Sequence, residues 1–193
     1  MATTKIQAAP QTAKRSFSAG SVISAIGRWI VRNRIYLIAF AIPAVLTYLA
    51  YALFGLYPFG EESVLCLDLN GQYVYYFEAL RDAFWGDGSI FYNWSRNLSG
   101  EFMGIIGYYL ASPFTLIVML LPEKFMLSSL LIMQLCKLGA AGATFNYFLQ
   151  KRRGVQPYPS LLFSTMYAMM AYGVIQLIDP MWLDGLVFLP LIM

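Results

Sequence analysis

The chain has 193 residues, of which 59% are hydrophobic and 12% charged, and its net charge is +3. A soluble domain carries about a quarter charged residues, so this composition excludes an ordinary water-soluble domain and points to an integral membrane protein. There is no histidine, which removes imidazole metal ligands and the commonest general base and leaves acid–base work to Asp, Glu, Lys or Tyr.

Residues 1–34 hold six bases, Lys5, Lys14, Arg15, Arg28, Arg32 and Arg34, and no acid. Their first part reads as a disordered tail. Residues 21–34 read as a short interfacial helix that turns Ile23, Ile26, Trp29 and Ile30 towards lipid. Residues 35–59 are 25 residues without a charge, too long for the apolar core of a signal peptide. They predict a first span with the N-terminus in the cytoplasm.

Residues 60–101 are the one long polar interruption, with seven of the ten acids against two bases, Arg81 and Arg96. A 100° period from Asp68 to Phe84 puts Leu69, Tyr73, Phe77, Leu80 and Phe84 on one side, with Asp68, Gln72, Tyr75, Glu78 and Asp82 opposite. That pattern predicts an amphipathic helix lying on a membrane surface or a protein wall. Glu61, Glu62, Asp82 and Asp87 read as solvated charges, and Arg81 as an ion-pair partner of Glu78 or Asp82. Cys66 here and Cys136 in an apolar stretch read as unpaired packing residues.

Residues 102–121 are apolar, but Ser112-Pro113 interrupts them with a helix-starting pair. Two short helices are predicted, over 102–111 and 113–121, each about 15 Å long and so half a hydrocarbon core. Residues 125–149 predict a span with Lys137 at its centre, and Lys151, Arg152 and Arg153 follow it. Residues 160–178 predict another span, and residues 185–193 an apolar run that stops part-way across, as expected of the N-terminal piece of a longer protein. If 102–121 re-enters without crossing, the positive-inside rule puts Lys151 to Arg153 in the cytoplasm and brings Asp68 and Asp184 to the same outer side. The expected organisation is all-α: a cytoplasmic basic tail over 1–34 and a transmembrane domain over 35–193. An extracytoplasmic loop over 60–124 lies within that domain.

Five blocks, LDLNGQY (67–73), SIFYNWSRNLSGEF (89–102), YYLASPF (108–114), CKLGAAGATFNYFL (136–149) and MWLDGLVFLPLI (181–192), together resemble the YfhO family of bacterial polytopic membrane proteins. The resemblance covers residues 55–193. It implies a GT-C-type glycosyltransferase bundle in the bacterial plasma membrane, with interfacial or re-entrant helices and a functional acid in the first outer loop. It also implies sugar transfer from a polyprenyl-phosphate donor to a cell-envelope polymer such as lipoteichoic acid.

On that reading Asp68 takes the proton of an acceptor hydroxyl or holds a divalent cation, Mg or Mn, against the donor phosphate. Asp184 joins it from a second loop. Each aspartate has a plainer alternative as a helix N-cap. Lys137 needs a partner if it is buried, either the donor phosphate or an acid such as Asp68; otherwise it snorkels. Gln72, Tyr75 and Arg96 are expected to line the substrate site, against the alternative that the aromatic residues form an interfacial belt. Two other function classes remain open: a transporter or lipid flippase with a midplane site around Lys137, and a non-enzymatic envelope-assembly partner.

Overall fold

The computed structural model describes residues 19–95 and 100–193. The tail over residues 1–18 lies outside them, as does Arg96. The chain divides into two units, residues 1–34 and 35–193.

In the first unit the described residues are helical, and Ile23, Ile26, Trp29 and Ile30 are exposed. They form the start of helix α1, which continues to Leu53 (Ala19–Leu53). The interfacial helix and first span expected as separate elements are therefore one helix. No glycine or proline stands between Trp29 and Ile42 to break it.

In the second unit the rest of α1 packs antiparallel on α5 (Met126–Arg152). Tyr36 meets Tyr147 with ring centroids 5.9 Å apart, Tyr51 Oη donates to Gln134 Oε1 at 3.2 Å, and Tyr57 Oη lies 2.6 Å from Ser128 Oγ. The approach is closest where α5 has no side chains. A Cβ on Gly139 would sit 2.8 Å from the Phe40 carbonyl oxygen, and one on Gly142 would sit 2.5 Å from that of Ala39. Pro43 has no N–H to offer the Ala39 carbonyl, so the helix is tightest beside its own missing bond. The helices Val22–Leu53 and Glu123–Arg152 are long and apolar enough to cross a membrane.

Gly154, at φ +64°, turns the chain into α6 (Pro157–Ala168), which starts with a proline in its first turn. Buried Asn146 of α5 donates to Ser160 and Ser164 of α6 at 3.0 and 3.3 Å, and Phe145 stacks on Tyr167 at 4.1 Å. The span expected over 160–178 is divided. After Ala168 the backbone extends at Met170, and a short α7 (Ala171–Ile175) follows. Met169-Met170 carries no sequence breaker, so the helical period reads straight through the break.

Helix α8 (Pro180–Ile192) contains Pro190, which cannot donate to the Leu186 carbonyl four residues back. Tyr167 Oη supplies that bond from α6, at 3.0 Å.

Residues 60–124 build a cap of short pieces on α5. A π-helical turn, Leu69–Tyr73, runs into α2 (Val74–Trp85). A two-residue ribbon of β1 (Tyr92–Asn93) and β2 (Gly100–Glu101), which the all-α expectation lacked, follows it. Then come α3 (Met103–Ile105), a π-turn Ile106–Leu110, and α4 (Thr115–Leu120). The two short helices expected around Ser112-Pro113 are shorter than their predicted bounds. Leu69, Tyr73, Phe77 and Leu80 are buried against Phe102, Leu110, Val118 and Met133, so the amphipathic face covers protein. Phe84 was expected on that face but is exposed. Its neighbour Trp85 is anchored instead, with Nε1 donating to the Met119 carbonyl at 3.1 Å.

Arg81 is not an ion-pair partner of Glu78 or Asp82. Its Nη1 donates to the carbonyls of Val118 (2.6 Å), Met119 and Leu121, closing the C-terminal end of α4. Those carbonyls have no helical donors of their own, and a guanidinium there also meets the negative end of the helix dipole.

Candidate functional site

Three segments converge where α8 begins. From α5, Lys137 is 2% exposed and donates to Asp184 Oδ2 at 2.9 Å and to the Pro180 carbonyl at 2.8 Å. From the break before α4, Ser112 Oγ donates to Asp184 Oδ1 at 2.9 Å. The Phe114 ring lies 5.7 Å below the ammonium. An ammonium taken out of water needs an opposite charge and hydrogen-bond acceptors, and this geometry provides the charge and two acceptors. The buried lysine therefore has a partner, and that partner is Asp184; it neither snorkels nor reaches Asp68.

Asp68 lies at the entry to the π-turn, after Leu67, whose φ of +47° is unusual for a branched side chain. Its Oδ1 accepts from Gln72 Nε2 at 2.9 Å. The carboxyl group nearest to it in charge is that of Asp179, in the residue before α8. The Asp179 carboxyl is held above the ordinary range, first by burial and then by its proximity to the charge of Asp68.

Neither Asp68 nor Asp179 makes a side-chain cap, and Asp184 lies within α8 rather than at its start. The N-cap alternative is not realised for either expected aspartate. Tyr73 stands behind the pair, fully buried, and its hydroxyl has no hydrogen-bond partner. Burial raises its pKa first, and the Asp179 charge adds to the effect. Tyr109 packs edge-on to Tyr73 at 5.5 Å and closes the other side.

The site residues expected from sequence thus fall into two neighbouring groups, Asp68 with Gln72 and Lys137 with Asp184. Tyr75 is exposed on α2, and Arg96 is outside the described residues. No three acid, cysteine or histidine side chains gather as metal ligands among the described residues. A cation also bound to a donor phosphate needs only one or two carboxylates. Asp68 and Asp179 would supply them, whereas Asp184 is taken by Lys137. Sequence reasoning missed Asp179 and Ser112. The available signal was the proline after Asp179, which marks a helix start and turns the preceding side chain outward.

A protein-family model described as bacterial membrane protein YfhO matches residues 39–193. The chain belongs to the YfhO family. It is thus a bacterial membrane protein, and the match covers every residue of the two groups, Asp68, Gln72, Ser112, Lys137, Asp179 and Asp184. No curated protein and no solved structure matches the chain.

Proposed function

We propose that this chain is part of a membrane glycosyltransferase that moves a sugar from a polyprenyl-phosphate donor to an acceptor on the outer side of the bacterial membrane. The observation that carries this reading is the Asp68–Asp179 pair, with Gln72 orienting one carboxylate and a raised proton affinity on the other. Asp68 takes the proton from the acceptor hydroxyl as that oxygen bonds to the anomeric carbon. The bond from that carbon to the phosphate oxygen breaks, and its electron pair leaves with the lipid phosphate. Asp179, whose carboxyl burial and the Asp68 charge hold above the ordinary range, stands beside Asp68 and tunes its basicity. The Lys137–Asp184–Ser112 cluster positions the start of α8, and with it Asp179. The cationic end of Lys137 is already occupied, which makes a transporter or flippase site around it the weaker reading.

Asp68→Asn and Asp179→Asn in the full-length protein test this. A general base contributes about 10²- to 10⁴-fold, so transfer of labelled sugar into the envelope fraction should fall by at least about 10²-fold in Asp68→Asn, with expression and melting temperature kept. Undiminished transfer by Asp68→Asn removes the proposal.

A further inference from the structure

Beside Asp68 the outer loop opens into a groove of 1330 Å³ whose wall includes Gln72, the residue that holds the Asp68 carboxylate. Three aromatic side chains in this groove face open space: Tyr75, Trp85 and Trp94 are 61%, 70% and 82% exposed. Two of them are braced there. Trp85 is held through its own N–H to Met119, and Trp94 is packed edge-on against Tyr92 at 4.8 Å. A ring fixed with its face bare keeps the cost of that exposed apolar surface until something flat and partly apolar covers it. The C–H face of a sugar ring has that shape and character.

Among the described lining residues the other charged side chains are acidic: Glu78, Asp82, Asp87 and Glu123. Arg81, the one base among the described lining residues, spends its guanidinium on the carbonyls at the end of α4. Burial and the nearby Glu123 charge push the Glu78 carboxyl up, as expected where carboxylates face one another without a cation between them. A polyanion entering this groove meets repulsion along its length, while an ammonium group meets both carboxylates and ring faces.

We propose that the groove seats the acceptor of the transfer described above, and that the seated part of the acceptor is a phosphate-free glycan carrying amino sugars. The word acceptor rests on the glycosyltransferase reading; the binding chemistry does not. A poly(glycerol phosphate) chain, the backbone type implied by a lipoteichoic acid acceptor, is the ligand this wall turns away.

The test is binding to the full-length protein in nanodiscs, measured by calorimetry with glucosamine oligomers and glycerol-phosphate oligomers of equal length. Like-charge juxtaposition costs enough that the glucosamine oligomer should bind at least about tenfold more tightly at low salt, with the margin shrinking as salt is added. Trp94→Ala removes a side chain that supports no core, so it should weaken sugar binding severalfold while leaving the melting temperature unchanged. The double variant Asp82→Asn/Asp87→Asn should shrink the preference for glucosamine. Equal or tighter binding of glycerol phosphate, no binding of glucosamine, or wild-type binding by Trp94→Ala each overturns the proposal. If glucosamine binds as described while Asp68→Asn still transfers sugar, the transferase reading fails and the groove stands. If Asp68→Asn loses transfer while glucosamine does not bind, the groove fails and the transferase reading stands.

Discussion

Asp184 has one close partner of opposite charge, and the two ends of that pair differ in exposure: Lys137 is 2% exposed and the Asp184 side chain 19%. Removing one member of a buried pair costs about 3–5 kcal/mol, because the other charge stays behind. Asp184→Asn should therefore lower the melting temperature of the purified protein sharply, whereas Lys137→Met/Asp184→Leu should return it close to wild type. A fully stable Asp184→Asn would show that something else balances the lysine. At Asp179 the sign of the pH effect is fixed by the upward shift from the ordinary 3.8. The folded state binds this proton more tightly than the unfolded chain, so stability is greatest below the ordinary value. It is lost as pH rises from there through the raised pKa. Thermal melts across that window should slope downward with pH in the wild type and flatten in Asp179→Asn. Lys137 was legible in the sequence as a buried charge needing a partner, because a lysine in mid-span has few alternatives. The partner was not legible, because it lies 47 residues away in the chain and only tertiary packing joins the two.

Among the elements, α6 and α8 are joined by a hydrogen bond that exists because of a proline. With Pro190 in place, Tyr167→Phe leaves the Leu186 carbonyl of α8 without a donor, which should cost about 1–3 kcal/mol. Pro190→Ala restores the backbone N–H, and in that background the tyrosine should matter much less. A double-mutant cycle on thermal stability measures the coupling, and additive effects would contradict the pairing. Element identity was readable where periodicity is strong, as in the buried face of α2 and the long apolar runs of α1 and α5. It was not readable at the division between α6 and α7, which no glycine or proline announces. The join of tail and span into one α1 was hidden for a related reason: charge changes along a helix need not end it. The short pieces around Ser112 follow from its proline. Their π-turns do not follow, since one extra residue per turn leaves no mark in composition.

For the molecule as a whole, the site's two groups gather around the start of α8. The topology expected from the positive-inside rule, with the Arg152 end of α5 in the cytoplasm, is open to a direct test. Cys66 is exposed and free in the segment before the π-turn, which provides a built-in control for the expected outer side. In intact cells a membrane-impermeant maleimide should label Cys66. Arg152→Cys in a Cys66→Ser background should be labelled only after permeabilisation, and labelling of that variant from outside reverses the orientation.

The Lys137–Asp184 pair also sets an order of events during biosynthesis. The ribosome delivers α5 to the bilayer before it has translated α8, so for an interval the ammonium faces lipid without its counter-ion. A lysine near a helix centre adds about 2.5–3.5 kcal/mol to the cost of insertion, which the leucines of α5 before Lys137 must offset until Asp184 arrives.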